Sequence, residues 1–276
     1  MNLFFNSGGI YCLMEYIGAI REIKRSLQSG RSLNASRLSA ASPQAEGAYD
    51  RASGQAVPLH YYGCSAGAGM MFVCLLVLND FISADDLDRL FGEVVDTIVW
   101  TDFDTAPIFT ALMTKLTPYV PENITDFTNG RFHVGMTGAD GFRFVNQFQS
   151  RQDIYHHIIV GSNIPGISSY PSTIDGVQFM DGVFGLKHDS LPPDTIIFRN
   201  TSRAPLSLTI PPLWVRQLLI SYGAENARRN IATYNETGTS RETLATGETY
   251  DISPEQIQWL LWFQSVLPQN PKWRIL

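Results

Sequence analysis

Gly63-Cys64-Ser65-Ala66-Gly67 stands between a short apolar run at residues 57–62 and a strongly apolar stretch at residues 68–78. These residue types at this spacing fit a nucleophile elbow. A strand ends, the flanking glycines let a tight turn close, and a serine hydroxyl is left at a helix N-terminus. Such a serine attacks a carbonyl only with a base to take its proton and N–H donors to hold the oxyanion. Asp181, followed by Gly182 at the end of the run 177–180, is the candidate base. Gly8 and Gly9, in the turn after the apolar residues 3–5, are candidate oxyanion donors, joined by the N–H of Ala66 at the start of the elbow helix. Taken alone, Gly-x-Ser-x-Gly also describes a small-residue turn before a core helix, and Asp-Gly an ordinary turn.

The elements that must position these residues are readable in outline. Residues 3–5 form a short strand, Ser7-Gly8-Gly9 a turn, and residues 11–25 a helix by their apolar spacing. After the elbow helix, Ser83 reads as an N-cap with acids in the first turn of an amphipathic helix reaching residues 94–98. Residues 100–129, rich in Thr, Pro and Asp around a helical pattern at 108–116, form either a cover over a cleft or a plain connector. Alternating runs at 131–136 and 141–147 flank Thr137-Gly138-Ala139-Asp140 and predict two strands joined by a turn. Residues 154–160 lead into Gly161-Ser162-Asn163-Ile164-Pro165-Gly166, and residues 194–199 supply a further strand. The alternation predicts an α/β fold, with a mostly parallel central sheet and helices on both faces. Ligands of such sheets bind at the C-terminal ends of the strands, where Gly8, Gly9, Ser65 and Asp181 would converge.

Composition narrows the class. A chain of 276 residues with 44% hydrophobic content can bury a large core. The formal net charge of −6 is spread along the sequence and gives no sign of a nucleic-acid partner. Cys12, Cys64 and Cys74 all fall in apolar segments with no metal-site or disulfide spacing, which suits a reducing compartment. The N-terminal residues lack the basic flank and long apolar core of a signal peptide, and the apolar run 66–78 is too short to cross a bilayer. The expected location is intracellular, cytoplasmic or peripheral to a membrane.

Two regions carry little chemistry. Residues 26–55 are rich in Ser, Ala, Gly and Arg and read as a flexible surface insertion, whose basic residues are better explained by solvation than by contact with anionic lipid. In the C-terminal third, residues 211–229 have a helical apolar pattern and residues 234–250 read as a polar linker. Ser253-Pro254-Glu255-Gln256 then begins a helix with Ser253 as cap and Gln256 completing a capping box. That helix carries Trp259, Trp262 and Phe263, which suit either packing on the domain or a membrane interface.

With these features in order, residues 2–200 resemble the patatin-like phospholipases, lipid acyl hydrolases with a serine–aspartate dyad. The resemblance rests on Ser7-Gly8-Gly9 after the first strand, the elbow at 63–67, the segment 161–166 and Asp181-Gly182. It implies a three-layer sandwich, with a catalytic domain at 1–205 and a helical extension at 206–276 packed on it. It further implies Ser65 as nucleophile, Asp181 as general base, and Gly8, Gly9 and Ala66 around the oxyanion. The implied substrate is a phospholipid or other acyl-ester lipid, with no metal or organic cofactor. The glycine loop departs from the family's three-glycine pattern: Ser7 and Cys12, or Ile10 and Leu13 in the other register, replace two glycines, and no basic residue follows. Two rival readings stand: a catalytically silent lipid-binding or interaction protein of the same fold, and a Ser-His-Asp esterase or acyltransferase. In the latter only His188 follows Asp181 in chain order, seven residues on, while His60, His156 and His157 read as structural.

Overall fold

A computed structural model of the chain describes residues 1–6, 10–29, 48–49, 56–97, 106–166, 168, 172–198, 213–238 and 253–266. In chain order the elements are β1 (Asn2–Phe5), α1 (Ile10–Gln28), β2 (Ala48–Tyr49), β3 (Ala56–Val57), β4 (His60–Cys64) and α2 (Ala66–Leu78). They continue with α3 (Asp86–Thr97), α4 (Ala106–Leu116), α5 (Thr125–Thr128), β5 (Phe132–Gly138), β6 (Gly141–Val145) and α6 (Arg151–Val160). The last are β7 (Thr173–Ile174), β8 (Val177–Asp181), β9 (Thr195–Phe198), α7 (Leu213–Thr237) and α8 (Pro254–Val266).

The central sheet has the parallel order β9-β1-β4-β5, with β6, β8 and β7 added around β5. Alternation along each strand sorts the side chains onto two faces. Leu3, Phe5, Tyr61, Val134 and Ile196 join the main core, which also contains the buried faces of α1 and α2. Phe4, Tyr62, Cys64 and Ile197 point the other way and meet Leu186 and Phe142. Helix α8 covers that second side at Met180 through Ile257 and Leu261. The result is the mostly parallel α/β sheet with helices on both sides that the strand–helix alternation predicts.

The register fixes how the strands meet. Gly135 pairs with Cys64 of β4 and with Phe144 of β6, so β4 and β6 lie on opposite edges of β5. Met136, Thr137 and Gly138 pair with both β6 and β8, so β8 lies opposite β6. Consequently β4 and β8 share one edge of β5: β4 runs along its first half, and β8 comes back antiparallel along its second half.

Helix α2 is buried from Ala66 to Val77, which accounts for its unbroken apolar sequence; a helix enclosed on all sides has no polar stripe to display. Helix α7 packs along α1 at backbone distance: a Cβ on Gly18 would lie 1.9 Å from the carbonyl oxygen of Ile220, and one on Gly223 would lie 1.9 Å from that of Glu15. Buried Glu22 clasps the pair by accepting hydrogen bonds from Arg25 and Arg228. The expected helix starts are present. Ser83 Oγ accepts from Asp86 N at 3.1 Å, Ser253 Oγ accepts from Gln256 N at 3.3 Å, and Gln256 returns a bond from Ser253 N at 2.8 Å.

Several boundaries differ from those read in the sequence. Strand β5 runs to Gly138, so Thr137 and Gly138, read as part of the turn, are paired in the sheet. Helix α7 extends to Thr237, so residues 234–237 are helical rather than part of a polar linker, whose remainder from 239 to 250 lies outside the described residues. Helix α1 runs on to Gln28, into the segment expected to be a flexible insertion, of which only residues 26–29 and 48–49 are described. The run 57–62, read as a single strand, is divided between β3 and β4.

Candidate active site

Ser65 occupies the turn between β4 and α2 with φ 54° and ψ −136°. A non-glycine residue with positive φ outside the helical basins costs roughly 1–3 kcal/mol and persists only where its surroundings enforce it. Here the enforcement comes from both glycines of the elbow. A Cβ on Gly63 would lie 2.5 Å from Ala68 Cα, and one on Gly67 would lie 2.2 Å from the carbonyl oxygen of Phe5. The elbow therefore closes against its own helix on one side and against the end of β1 on the other. The first N–H groups of α2 have no carbonyl one turn earlier in the helix, so Ala66 stands where an oxyanion donor is needed. Gly8 and Gly9, the other expected donors, lie outside the described residues. Asn6, just before them, is beside Gly67, since a Cβ there would lie 2.5 Å from the Asn6 carbonyl oxygen.

Asp181 is the last residue of β8 and is 0% exposed. Both it and Ser65 were expected at the C-terminal ends of parallel strands; the structure brings them together differently. Because β4 and β8 approach along one edge of β5 from opposite directions, Cys64 and Asp181 are opposed by the consecutive residues Gly135 and Met136. The strand ends thus face each other, and Ser65, next after Cys64, meets Asp181.

The carboxyl group is held on one side and open on the other. Oδ1 accepts the Val183 N–H at 2.9 Å, whereas Oδ2 is buried without a hydrogen-bond partner. Burial raises the pKa of Asp181 to about 7, and the Ser65 hydroxyl and Val183 N–H act in the opposite direction. Ser65 is thus near enough for its hydroxyl to favour the charged carboxylate, while Oδ2 itself has no hydrogen-bond partner. Neighbouring Cys64 is fully buried, and its thiol is pushed well above its ordinary pKa by burial and by the Asp181 charge, so it is not a competing nucleophile.

The segment after α6 has a structural task that its sequence did not disclose. Asp181 N donates to the Asn163 carbonyl at 2.8 Å, and Gly182 N donates to the Gly161 carbonyl at 3.2 Å. Gly182 must be glycine because a Cβ would lie 2.3 Å from the Gly135 carbonyl oxygen. The loop therefore sets the height of the base, and the glycine lets the chain pass β5. An Asp-Gly pair after a strand was the available signal; its contact on β5 required the register.

The described histidines are engaged elsewhere. His157 Nδ1 lies 3.0 Å from Asp153 Oδ1, and His156 Nε2 lies 2.9 Å from the Thr173 carbonyl oxygen. His133 stacks on Tyr62 with ring centroids 4.0 Å apart; burial, then the nearby His60 charge, lowers its pKa to about 4. None of them is among the groups that shift Asp181. His188 opens a 3-10 turn, but its side chain lies outside what the structure describes. Among the described residues, no three His, Cys, Asp or Glu side chains form a cluster able to hold a metal ion.

Fold and site together define an α/β protein with a strained elbow serine beside a buried, half-coordinated aspartate. Compared with known proteins, the sequence matches no family model and no curated protein.

Proposed function

We propose that the protein is a lipid acyl hydrolase that cleaves fatty acyl esters through a Ser65 acyl-enzyme, with Asp181 as general base. The observation that carries this reading is the carboxyl oxygen Oδ2, buried without a partner beside an elbow serine. A carboxylate with an ordinary pKa is a poor proton acceptor at neutral pH; one near 7 is matched to the task.

In the first half-reaction Ser65 Oγ attacks the ester carbonyl carbon while its proton passes to Asp181. The oxyanion is held by the Ala66 N–H and, as the resemblance implies, by N–H groups of Gly8 and Gly9. Collapse breaks the carbon–oxygen bond to the alcohol, which leaves with the proton from Asp181. In the second half-reaction a water molecule gives its proton to Asp181 and attacks the acyl-enzyme, and the proton returns to Ser65 Oγ as the fatty acid departs. The chemistry uses only side chains and backbone N–H groups. The substrate class, a phospholipid or related lipid ester, follows from the resemblance to patatin-like enzymes.

The test is labelling of wild type, Ser65→Ala and Asp181→Asn with a fluorophosphonate probe, together with acyl release from phospholipid vesicles. Loss of both signals in both variants is expected. An unlabelled, folded wild type would mean a silent member of the fold. Loss of activity in His188→Ala with Asp181→Asn still active would replace the dyad by a histidine mechanism.

A further inference from the structure

The large hydrophobic side chains recorded as exposed among the described residues are Val177, Trp214, Leu218, Tyr222, Trp259 and Trp262. They come from β8, α7 and α8, and the topology places all three segments at the same end of the molecule. Asn230 Nδ2 donates to the Ile197 carbonyl at 3.2 Å and the Tyr234 hydroxyl to that of Asp194 at 3.4 Å, so α7 passes β9 with its second half. Its first half extends beyond Phe198, the C-terminal residue of β9. Trp214, Leu218 and Tyr222 follow one another at four-residue spacing on that extension, a stripe about 12 Å long.

Helix α8 reaches the same end by another route. Gln258 Nε2 donates to the carbonyl of Ala139, in the β5–β6 turn, at 3.1 Å, and Gln178 Nε2 donates to the Leu261 carbonyl at 2.7 Å. Gly138 lies three residues past Gly135, the partner of Cys64, which places this turn about 10 Å beyond the elbow along the strand direction. Val177 begins β8 at the same height, two residues before the Phe179–Gly138 pair. Ile257 and Leu261 face inward onto Met180, whereas Trp259 and Trp262 are 57% and 58% exposed. The two aromatic patches thus lie toward the end of the sheet that carries Ser65 and Asp181, one on α7 near β9 and the other on α8 near β8.

Composition selects the occupant. Trp and Tyr combine an apolar body with one polar N–H or O–H and favour the headgroup layer of a bilayer. Within the stripes acids are sparse: in a chain of net charge −6, the first acid of α7 is Glu225, beyond the stripe, and α8 carries only Glu255, in its first turn, while the turns beside α8 hold exposed Asp140, paired with Arg143, and exposed Asp175. No helix among the described residues is long and apolar enough to cross a membrane, so contact would be lateral.

We propose that this end of the protein is a lipid-docking surface, in which the Trp214–Leu218–Tyr222 stripe and the Trp259–Trp262 pair enter the headgroup region of a phospholipid bilayer on either side of the site. The proposal rests on the lipid-ester reading for its purpose, but the surface is defined independently of catalysis. With few charges in the stripes, apolar insertion dominates and binding responds only weakly to salt.

The test uses the full chain and phosphatidylcholine vesicles with brominated acyl chains, at low and raised salt. Wild type and Ser65→Ala should float with the vesicles and show quenched tryptophan fluorescence. The pairs Trp214→Glu/Leu218→Glu and Trp259→Glu/Trp262→Glu should each partition at least about tenfold more weakly. The neutral pairs Trp214→Ser/Leu218→Ser and Trp259→Ser/Trp262→Ser should lose binding too, with unchanged thermal unfolding and unchanged hydrolysis of a soluble short-chain ester. Wild type that does not float, variants that float like wild type, or a wild-type dimer that the variants dissociate would each overturn the proposal. Flotation behaving as expected without turnover of any ester would uphold docking and sink only the hydrolase reading.

Discussion

Cys64 and Asp181 are opposed by adjacent residues, Gly135 and Met136, on one edge of β5. This relationship places a serine at the end of one strand against an aspartate at the end of another without any loop spanning between them. It also puts the pair where neither residue is adjustable: Ser65 is fixed by the elbow, and Asp181 by its bonds to Asn163 and Val183. Geometry set by a sheet edge is more exact than geometry set by mobile loops.

The first prediction concerns the pH dependence of the reaction. A base must be ionised to act, and burial holds the pKa of Asp181 at about 7. The acylation rate should therefore rise with pH through neutrality, following one ionisation, and level off above it. Single-turnover acylation by a soluble ester across pH 5 to pH 9 reads this directly; a profile already flat from pH 5 upward would remove Asp181 as the base. Asp181→Asn should lower the rate on the order of 10²–10⁴-fold.

The same shift has a signature in stability with the opposite pH trend. Between the ordinary value of 3.8 and about 7, native Asp181 keeps a proton that the unfolded chain has released. Stability contributed by this group is therefore present below about pH 4, falls as pH rises through that window, and is constant above it. Asp181→Asn lacks the effect, so the variant should gain on wild type as pH rises, by up to about 4 kcal/mol at roughly 1.4 kcal/mol per pH unit. Urea unfolding of both proteins at several pH values checks it; parallel curves would show that Asp181 titrates alike in both states.

Much of the site could be read from residue types, and what could not has a physical reason. The elbow announced itself because glycines at 63 and 67 around a serine leave few backbone alternatives, and the structure shows backbone atoms where their side chains would be. Asp181 was legible as a strand-ending Asp-Gly, but its antiparallel approach was not, since a run of five residues does not encode its direction relative to a partner far away in sequence. The carbonyls of Gly161 and Asn163 escaped notice for a related reason: backbone acceptors leave no mark in side-chain identity. The burial of α2 was legible from its apolar run, whereas the exposure of Trp214 and Leu218 was not, because apolar helical spacing alone does not say which face will be covered.

The glycines packed against backbone at the site should behave differently from glycines that meet nothing. Gly67→Ala and Gly182→Ala each push a methyl group into a backbone carbonyl, at 2.2 Å and 2.3 Å, and neither neighbour can rotate away. Each should cost about 3 kcal/mol or more and depress activity beyond the loss of folded protein. Gly92, inside α3 with nothing within 4 Å of a built Cβ, is the contrasting position. Gly92→Ala should stabilise by about 0.5–1 kcal/mol through helix propensity alone. Thermal unfolding of the three variants separates the cases, and a destabilised Gly92→Ala would show that the argument from open space fails.

Helix α7 owes its position to the close crossing on α1, and Gly223→Ala tests that dependence. The added methyl would lie 1.9 Å from the carbonyl oxygen of Glu15, an atom held within α1, so the two helices must separate. Separation would also lengthen the bonds from Arg228 to Glu22, whose carboxylate side chain is only 5% exposed and would keep only Arg25 as a charged partner in a poorly solvated place. The expected result is a loss of about 3 kcal/mol or more, with hydrogen exchange of α7 amides accelerated ahead of those of the sheet. Gly238→Ala, at φ 71° with no atom within 4 Å, should cost only about 1 kcal/mol from backbone strain and leave α7 protected. Equal protection of α7 in Gly223→Ala and wild type would mean that the crossing tolerates expansion, and that the extension bearing Trp214 is held by contacts other than this one.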